Sequence, residues 1–335
     1  MTDDVLFLSR DQVTALLDPD TAIASQRAAF AALGAGGAGA PDLPDLPDLP
    51  DLPGKIMHPS RFDDSVVFAY VSRLSRDTGA VAKFGSVNPG NAAAGLPTIH
   101  AVITALDPVT GELAAVMDGT AVTTLRTAAA SAVAFDALST ADSAELALIG
   151  SGTQALAHAR AVARVRNLKS VRVWSPTPER RARAAEHLAA ELGIAAEATD
   201  TPQEAVSGAS MVATCTLSTT PVVHGAWLAP GCTVVSVGSF EPTRNEVDAE
   251  VLRRAAAVVV DDPETATEHA GPVIDALRDR LLTRENLIGL GDVITGARTG
   301  RTGPDDIVFY NSVGLGVQDA AAAWALVRAA RGEGR

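Results

Sequence analysis

Two cations interrupt stretches of apolar and small residues. Lys83 lies in AVAKFGSVNPGN, residues 80–91, a run typical of a buried strand that closes in a Pro-Gly turn. Arg126 lies in LRTAAASA, near the start of a predicted Ala-rich helix whose N-terminus adds a positive field. Burying a cation is unfavourable unless an opposite charge pairs with it. Together the two cations predict a site for a small carboxylate; the alternative is that each is a surface charge whose stem packs on the sheet.

A glycine-rich turn, LIGSGTQA, joins a predicted strand to a predicted helix. Its spacing, Gly150-x-Gly152-x-x-Ala155, is a form of the fingerprint that binds the pyrophosphate of a dinucleotide. Gly150 permits the tight turn, Gly152 lets the backbone approach the phosphates, and Ala155 allows close packing of helix on strand. The pattern predicts a dinucleotide site; the alternative is a glycine-rich turn that binds nothing.

The second strand of this unit, VRVWSPTPERR, indicates which dinucleotide is favoured. An NAD site is expected to place Asp or Glu at the end of this strand, where the carboxylate accepts from the ribose 2′-hydroxyl. Ser175 stands there, followed by Thr177, Arg180 and Arg181. Hydroxyls and arginines hold a 2′-phosphate, so NADP(H) is favoured and NAD(H) is the alternative. Each arginine has a second interpretation, as part of an exposed helix surface.

The elements that must position these residues change in character along the chain. Residues 11–33 predict a helix that breaks at Asp18-Pro19, and the Pro-Asp-Leu repeats of residues 41–52 predict an extended, polyproline-like segment. A solvated linker and a lid over a site are the two interpretations of the repeats. Short strands follow, which predict an antiparallel sheet with a hairpin turn at residues 107–111.

From residue 144 onward, strands alternate with helices, which is typical of a doubly wound parallel sheet. The tail, residues 307–331, predicts a strand, a Gly-rich turn and a long helix that Asp319 begins or caps. The predicted fold class is therefore α/β, a Rossmann sheet combined with an antiparallel-sheet domain. The predicted division gives residues 1–125 and 311–335 to the substrate domain and residues 126–310 to the dinucleotide domain.

Composition limits the possible partners. The 335 residues suffice for one or two domains, and with 47% apolar but only 4% aromatic residues the core must be built from Ala, Val, Leu and Ile. The net charge of −13 argues against nucleic acid and against an anionic membrane surface as partners. The acidic N-terminus does not match a signal peptide and no apolar run reaches the length of a membrane span, so we expect a cytoplasmic protein.

Cysteine and histidine give no metal pattern. Cys215 and Cys232 lie in apolar runs and are interpreted as buried free thiols, with a disulfide as the alternative. The six histidines include no metal-spaced pair with another His or Cys, so no metal site and no catalytic zinc are expected. His58 and His100 are candidates for the substrate pocket, although a structural, hydrogen-bonded role is the commoner one for histidine.

Over nearly its whole length the chain resembles the ornithine cyclodeaminase/mu-crystallin family. The segments that carry the resemblance are KFGSVNPGN, GLPTIHAVI, DPVTGELAAVMDG, TTLRTAAASA, LIGSGTQA, TCTLSTTPVV, PGCTVVSVGS, SVGLGVQD and the spaced pair Pro242 and Glu246. The RTAA segment and the run from Lys83 to PGN are specific to the family, whereas the Rossmann motif is not. The resemblance implies a homodimer in which the N-terminal half packs against its mate.

The resemblance also implies roles for individual residues. Lys83 and Arg126 would hold the substrate carboxylate with Thr98 close by, and Lys83 is a candidate proton donor. Residues that would contact the cofactor are Gly150, Gly152, Thr153, Gln154, Ser175, Thr177 and Thr216. Residues that would flank the nicotinamide are Val237, Gly238 and Ser312.

The chain departs from the cyclodeaminases of this family where their carboxylates stand. They carry an Asp two residues before the matched proline, and here that residue is Phe240, followed by Glu241. They carry a Glu two residues before the Met that matches Met57, and here that residue is Lys55. Their upstream Arg falls within the repeats, which contain none. Candidates to replace it in binding the substrate are Lys55, Arg61 and Arg73.

Without those carboxylates, cyclodeamination lacks the base that takes a proton from the amine. The steps of a reductase need no such base: the carboxylate is bound, the imine carbon is placed against the nicotinamide and a hydride is transferred. The first hypothesis is an NADP(H)-dependent reductase of amino-acid-derived imines, or an amino acid dehydrogenase, in which Arg126 clamps the carboxylate and Lys83 polarises or protonates the imine. The second is an ornithine or lysine cyclodeaminase with bound NAD. The third is a non-catalytic, crystallin-like protein that binds the cofactor.

Overall fold

A computed structural model of the chain describes residues 5–34 and 50–333, whose contacts fall into two units. Unit 1 comprises Met1–Arg126 and Leu315–Arg335, and unit 2 comprises Thr127–Gly314. Most of the Pro-Asp-Leu segment lies outside the described residues. Its last repeat is described: Asp51 forms an isolated antiparallel bridge with Arg73, and Ser72 Oγ donates to Asp51 O over 2.6 Å.

Unit 1 is built on a six-stranded sheet. Its elements in chain order are β1 (Leu6–Leu8), α1 (Arg10–Leu16), α2 (Pro19–Gly34), β2 (Ile56–Pro59), β3 (Val66–Ser72), β4 (Val81–Val87), a 3₁₀ helix (Pro89–Ala94), β5 (Ile99–Leu106), β6 (Leu113–Asp118) and the first part of α3 (Gly119–Leu138), which continues into unit 2. The last helix, which returns to unit 1, is Gly316–Arg331. The predicted helix break at Asp18-Pro19 and the hairpin turn between β5 and β6 are confirmed.

The sheet of unit 1 has the strand order β1-β6-β5-β4-β3-β2. Neighbours from β6 to β2 pair antiparallel, as predicted, but β1 pairs parallel with β6, so the sheet is mixed rather than antiparallel. The prediction missed β1 because a strand of only three residues carries too little periodicity to be recognised.

The two faces of this sheet differ in burial. Residues in register across its middle, Tyr70, Lys83, Ile103 and Met117, point to the side on which the last helix packs. The opposite face of β4 carries Phe84, which is 57% exposed. The prediction of a buried strand therefore holds for one face of β4 only, as the side-chain period of two allows.

Unit 2 is a parallel sheet with helices between its strands. Its remaining elements are β7 (Glu145–Ile149), α4 (Thr153–Val165), β8 (Ser170–Trp174), α5 (Pro178–Leu192), β9 (Ala195–Ala198), α6 (Pro202–Val206), β10 (Met211–Thr214), a 3₁₀ helix (Gly225–Trp227), β11 (Thr233–Ser236), α7 (Ala249–Arg254), β12 (Ala255–Val260), α8 (Pro263–His269), α9 (Gly271–Arg278), a 3₁₀ helix (Arg284–Asn286), β13 (Leu287–Gly289), α10 (Leu290–Ile294) and β14 (Ile307–Asn311). The helix Gly316–Arg331 is α11.

The strand order of unit 2 is β13-β12-β14-β11-β10-β7-β8-β9, and every recorded pairing is parallel. This confirms the predicted doubly wound sheet and the α/β fold class. All the residues of β10, β11 and β14 are buried, which explains why these strands read as continuous apolar runs. In a sheet of this kind, ligands bind outside the carboxyl ends of the strands.

Helix α11 forms the core of unit 1. It packs on β3 and β4 and against α2, and its sequence GVQDAAAAWALVRAAR is rich in alanine, the strongest helix former. A Cβ on Gly316 would lie 3.1 Å from Val71 O, so the helix begins close against β3. Trp324 Nε1 donates to Gly79 O over 3.0 Å, which fixes its middle to the turn before β4. Among the described residues, no helix is long and apolar enough to cross a membrane.

Candidate functional site

Lys83, Arg126 and Asp319 form a buried cluster of charges in unit 1. Lys83 Nζ lies 3.2 Å from Asp319 Oδ1 and 3.3 Å from Asp319 Oδ2, and Arg126 Nε lies 3.0 Å from Oδ1. The three residues are 2%, 5% and 1% exposed, in that order. Charges buried this deeply need a partner of opposite sign and hydrogen bonds. The two cations singled out in the sequence therefore converge, and a protein carboxylate lies between them.

The inward face of β4 brings Lys83 to this cluster. Its ammonium lies 5.3 Å from the centroid of the Tyr70 ring and 5.7 Å from that of the Phe68 ring. An aromatic face attracts a cation within about 6 Å. Two rings on β3 and one carboxylate on α11 therefore surround the ammonium.

Burial lowers the pKa of Lys83 from 10.5 to about 8, because desolvation disfavours the charged amine. The carboxylate of Asp319 acts in the opposite direction and raises this pKa, while the charge of Arg126 lowers it. An amine with a pKa near the working pH is suited to transfer a proton.

Arg126 reaches the cluster from the middle of α3, about two turns after the first residue of that helix, Gly119. The expected contribution of the helix N-terminus was therefore wrong, because that field falls off within the first turn. Arg126 Nη1 lies 3.5 Å from Gln318 Oε1. Arg126 Nη2 has no hydrogen-bond partner within the described part of the chain, and it is not completely buried. This edge of the guanidinium is free to bind a carboxylate.

Asp319 is a member of the cluster that the sequence analysis missed. It lies in the first turn of α11, but the helix begins after Leu315 and Asp319 neither begins nor caps it. Gln318 Oε1 instead accepts from Leu315 N over 2.7 Å. The available signal was an acidic side chain in the otherwise apolar run GVQDAAAAWALV, which favours a buried partner over a solvated cap.

Of the candidates to replace the missing arginine, Lys55 shares a ring with the cluster: its Nζ is 5.7 Å from the centroid of the Tyr70 ring, which also faces Lys83. Arg73 is held elsewhere, because its Nε donates to Thr78 O over 2.7 Å and to Ser75 O over 3.1 Å. Arg61 is exposed. Thr98 precedes β5, where its carbonyl accepts from Asn88 N over 2.7 Å. No contact of Thr98 with the cluster is recorded among the described residues.

The glycine-rich turn of unit 2 has the geometry of a phosphate site. Gly150 has a φ of +130°, and a Cβ there would lie 2.8 Å from Cys215 O. Gly152 is the residue before α4, and a Cβ on it would meet nothing within 4 Å. No side chain caps the first turn of this 13-residue helix. Its N–H groups therefore face open space, which fits the pyrophosphate of a dinucleotide.

Other residues of the motif are placed around this turn. Ala155 is 1% exposed and packs α4 on the sheet, as expected, while Thr153 is exposed at the first helical position. Gln154 Oε1 is buried without a partner in the described part of the chain. The roles of these residues in cofactor binding stay predictions.

At the end of β8, Ser175 is buried and accepts from Ser151 Oγ over 2.9 Å. Thr177 is the residue before α5 and is exposed. Arg181 donates to Ser175 O over 3.2 Å and to Asp200 Oδ1 over 2.5 Å, so it supports the strand end. Arg180 is exposed, with no partner recorded in the described part of the chain. The structure thus separates the two arginines, and Arg180 is the one available to an anion.

Glu246 organises the carboxyl ends of β10 and β11. Its Oε1 accepts from Thr216 N over 2.6 Å and Thr216 Oγ1 over 2.8 Å. Its Oε2 accepts from Thr214 Oγ1, Ser236 Oγ and Gly238 N over 2.7, 2.9 and 2.6 Å. In the sequence, Glu246 stands out only as part of the family pattern, spaced from Pro242. Two residues predicted to contact the cofactor, Thr216 and Gly238, are held in place by this one carboxylate.

Ser312, the predicted nicotinamide neighbour after β14, is fixed by Asp261 in the same unit. Asp261 Oδ2 accepts from Ser312 Oγ over 3.2 Å and from the N–H groups of Val313 and Gly314 over 2.8 and 2.7 Å. The hydroxyl of Tyr310 donates to Asp261 Oδ1. Val237, another of the three predicted neighbours, is 8% exposed and follows β11.

Phe240 stands where cyclodeaminases of the family carry their Asp. The guanidinium carbon of Arg244 lies 4.7 Å from the centroid of its ring, and Arg244 Nε lies 3.1 Å from Glu241 Oε2. Arg244 Nη1 and Glu241 Oε1 are buried without partners among the described residues. Phe240 offers no proton acceptor, and Glu241 is in an ion pair with Arg244.

Within the described residues, no group of three or more His, Cys, Asp and Glu side chains is arranged to hold a metal ion. His58 and His100 are exposed. Both cysteines are free: Cys232 is buried and Cys215 is half-buried. Burial raises the pKa of the Cys232 thiol to about 12 and that of the Cys215 thiol well above its usual range, so neither is a ready nucleophile.

Comparison with known proteins points to one family. The model of the ornithine cyclodeaminase/mu-crystallin family matches residues 51–334. The Δ(1)-pyrroline-2-carboxylate reductase of Thermococcus litoralis, solved with NADH and L-proline, has a TM-score of 0.91 at 28% identity, with 98% of each chain covered. An archaeal alanine dehydrogenase, solved as a dimer with bound NAD, has a TM-score of 0.87 at 30% identity, over 98% of this chain and 97% of that one. The ketimine reductase mu-crystallin of Mus musculus is 32% identical over 234 residues, which span 70% of this chain and 71% of its own length.

The likeness extends over both units, because the two solved structures match nearly the whole chain. The resemblance inferred from the motifs is confirmed by the family model. The chain belongs to the ornithine cyclodeaminase/mu-crystallin family.

Proposed function

We propose that the protein is an NAD(P)H-dependent reductase of imines derived from amino acids, which in the reverse direction acts as an amino acid dehydrogenase. The substrate carboxylate binds to Arg126 and Lys83, and a hydride is added to the carbon of the C=N bond. Relatives named as ketimine and pyrroline-carboxylate reductases, and as alanine dehydrogenase, support this reaction class.

The observation that carries the proposal is the charge cluster in unit 1. Lys83, Arg126 and Asp319 together carry one net positive charge when all three are ionised, and one guanidinium edge of Arg126 has no partner among the described residues. A partly buried guanidinium with a free edge binds a carboxylate through charge-assisted hydrogen bonds. The net charge matches a substrate with one carboxylate.

The residues of unit 2 fit a dinucleotide, and the reduced nicotinamide supplies the hydride when it is bound. Gly150, Gly152 and the first turn of α4 would hold the pyrophosphate, and Thr216, Gly238 and Ser312 would lie beside the nicotinamide. We further propose NADP(H) as the preferred form. Ser175 leaves the end of β8 without a carboxylate, and Arg180 is free to meet a 2′-phosphate.

A cyclodeaminase activity, the second candidate, is less well supported. It requires a base for the substrate amine, and Phe240 and the ion-paired Glu241 stand where that base would be. The third candidate, a binding protein without turnover, would retain the cofactor site and show no reaction with imino or keto acids.

The test is cofactor binding followed by turnover. We expect the fluorescence of the purified full chain to be quenched by NADPH at lower concentration than by NADH. The protein should then oxidise the bound cofactor when five- or six-membered cyclic imino acids, or pyruvate with an amine, are added. Ammonia release from ornithine or lysine without net oxidation would identify the cyclodeaminase instead. Tight binding without turnover on the whole panel would favour the binding protein.

The carboxylate clamp has its own test within the same assay. Arg126→Lys keeps the charge but loses the planar fork, so the KM for the imino acid should rise by about tenfold or more, given about 1.5–3 kcal/mol for a hydrogen bond to a charged group. Arg160→Lys is a matched control, because Arg160 forms an exposed ion pair with Glu191. An unchanged KM for Arg126→Lys would remove Arg126 from the clamp.

We also propose that the protein is a homodimer, with the exposed face of the six-stranded sheet as the contact surface. That face carries the large apolar side chains Phe7, Ile56, Val67, Val71 and Phe84, which are between 48% and 71% exposed. Contiguous apolar patches of this kind mark interaction surfaces on proteins.

A further inference from the structure

Every charged group that faces Lys83 belongs to a short list. The carboxylate of Asp319 on α11 contacts the ammonium directly, and the guanidinium of Arg126 on α3 shares that carboxylate. From β3, the rings of Phe68 and Tyr70 face the ammonium. The Nζ of Lys55 lies 5.7 Å from the centroid of the same Tyr70 ring. From α2, Gln26 Nε2 donates over 3.1 Å to the carbonyl of Gln318, the residue before Asp319. Asp319 is thus the single anion recorded against Lys83 in the described part of the chain.

We propose that Asp319 is a positioning residue for the reductase reaction: it holds Lys83 as the ammonium that protonates the imine nitrogen, and it fixes Arg126 with its free edge toward the substrate carboxylate. This role rests on the proposed function, since it assigns a task to the same site.

The geometry of the carboxylate supports a double task. Asp319 Oδ1 accepts from both Lys83 and Arg126, while Oδ2 accepts from Lys83. When Lys83 has given up its proton, Arg126 Nε still lies 3.0 Å from Oδ1, so the buried carboxylate keeps an ionic partner throughout the cycle. A buried carboxylate with one cation only would be left unpaired at this point, which is costly.

The electrostatics of the ammonium lead to the same assignment. Desolvation lowers the pKa of Lys83 to about 8, and without the opposing effect of Asp319 it would fall further, because burial and the Arg126 charge both act downward. At neutral pH a lower value would leave much of Lys83 unprotonated before the reaction began. Asp319 therefore keeps the amine charged at the pH at which it must act as an acid.

The step balances in atoms and charge. The carbon of the C=N bond gains the hydride that the reduced nicotinamide supplies, and the nitrogen gains a proton from Lys83 Nζ. The imine becomes an amine, the cofactor leaves oxidised, and Lys83 remains as a neutral amine that water reprotonates. In the reverse direction the neutral amine of Lys83 accepts the proton.

The first arm of the test does not depend on any activity. The chain has only three lysines, Lys55, Lys83 and Lys169, so carbon-13 labelling at lysine Cε gives three NMR signals, and Lys83→Arg assigns the one that disappears. In the protein without cofactor, we expect Lys83 to titrate near pH 8. In Asp319→Asn it should titrate lower by about one unit or more, since an opposite charge at this distance shifts a pKa by about 1–3 units.

Two further variants keep this arm decisive. Asp136→Asn is the matched control, because Asp136, ten residues after Arg126 on α3, forms an ion pair of 2.6 Å with Arg166. It should leave the Lys83 titration in place. Asp319→Glu keeps a carboxylate and should restore a titration close to that of the wild type. If Asp319→Asn does not fold, a wild-type Lys83 that titrates at its ordinary value of 10.5 would overturn the proposal by itself.

The second arm uses turnover in the direction of imine reduction. The rate should fall as the pH rises past the titration of Lys83, which gives the pH–rate profile an alkaline limb. In Asp319→Asn this limb should move to lower pH by the same number of pH units as the NMR titration of Lys83. The kcat at pH 8 should be reduced by about 10²-fold. A limb that stays in place while the variant is folded overturns the role of Asp319 and leaves the reductase intact. A shifted NMR signal with no turnover by the wild type overturns the reductase, and the proton-donor role falls with it.

Discussion

Arg180 and Arg181 are adjacent in the sequence, but their side chains have different surroundings. Arg181 bonds to the protein at both terminal nitrogens. Arg180 lies exposed in the first turn of α5, where the positive end of the helix dipole disfavours a cation unless an anion is present. The 2′-phosphate of NADP(H) is an anion of the appropriate charge for this position.

Arg180→Ala should therefore weaken NADPH binding by about tenfold, given about 1.5–3 kcal/mol for a hydrogen bond to a charged group, while NADH binding changes little. Fluorescence titration with both cofactors measures the two affinities. Arg183→Ala is the control and should change neither, because Arg183 is also exposed on α5, three residues after Arg180. Equal losses for NADPH and NADH would show that Arg180 does not distinguish them, and the proposed preference would then be withdrawn.

Single residues could be recognised in the sequence when their type contradicted their surroundings. Lys83 and Arg126 were found because cations interrupt apolar runs, and Gly150 because its spacing belongs to a motif. Asp319 was not assigned to the cluster because its partner Lys83 is 236 residues away, and no local pattern reports such a pairing. Arg181 could not be separated from Arg180, since only the fold brings Asp200 beside one of them.

At the scale of elements, one buried carboxylate joins the ends of two neighbouring strands. Glu246 accepts five hydrogen bonds from β10, β11 and the residues that follow them. A Cβ on Gly238 would lie 2.7 Å from Glu246 Oε1, so the backbone there closes tightly around the carboxylate. The same edge of the sheet is the one at which a Rossmann fold binds its ligand.

Glu246→Ala would leave these donors buried without an acceptor. We expect the free energy of unfolding to fall by several kcal/mol, since each buried donor left without an acceptor costs about 1–3 kcal/mol. Cofactor affinity should fall as well, because Thr216 and Gly238 lose their support. Urea unfolding and cofactor titration measure the two effects, and Glu246→Gln should be milder in both. Normal stability in Glu246→Ala would contradict the hydrogen-bond network.

A buried histidine connects α3 and α4. His158 is fully buried, with Nδ1 2.7 Å from Gln154 O and Nε2 2.8 Å from Ser131 Oγ, and burial lowers its pKa from 6.5 to about 4. Above pH 6.5 it is neutral in both states; as the pH falls toward 4, only the unfolded chain takes up the proton. Stability should therefore decrease over that window by about 3 kcal/mol from this residue alone.

The pH dependence of urea unfolding between pH 7 and pH 4 measures this loss, and a variant without the ionisable ring separates it from other groups. His158→Gln is expected to be less stable at pH 7 but to show a flatter dependence on pH across the window. His187→Gln is the control, because His187 lies on the exposed side of α5. An unchanged slope in His158→Gln would assign the acid sensitivity to carboxylates.

The elements themselves were predictable where their periodicity was strong. The buried parallel strands and the Ala-rich helices appeared as continuous patterns, and β3 to β6 as short apolar strands with a hairpin turn. Four strands of three or four residues, β1, β2, β9 and β13, were missed because their sequences show no clear period. The start of α3 was placed too late, since Gly119-Thr120 does not look like the beginning of a helix, and this misplaced Arg126 relative to the helix N-terminus.

At the scale of the whole molecule, the six-stranded sheet has one face whose large apolar side chains are exposed within the described part of the chain. Residues in register across that face, from β1 to β3, alternate with the inward residues that pack under α11. A sheet needs a layer on each apolar face. A second copy of the same chain would supply one of equal shape and chemistry, as in the proposed homodimer, and closed two-fold symmetry is the commonest form of assembly.

Phe84 lies near the middle of this face on β4, directly behind Lys83, and is 57% exposed. By light scattering, the wild type should have twice the chain mass of 34.3 kDa. Phe84→Asp would place a charge in the centre of the proposed interface, so this variant should have the mass of a single chain. Phe62→Asp is the matched control, since Phe62 is 97% exposed but lies between β2 and β3, off the sheet. A wild type with the mass of one chain, or a Phe84→Asp variant that keeps the mass of two, would exclude this face as the dimer contact. Because Phe84 and Lys83 are successive residues with opposite directions, loss of the dimer should also reduce turnover if the partner chain steadies β4.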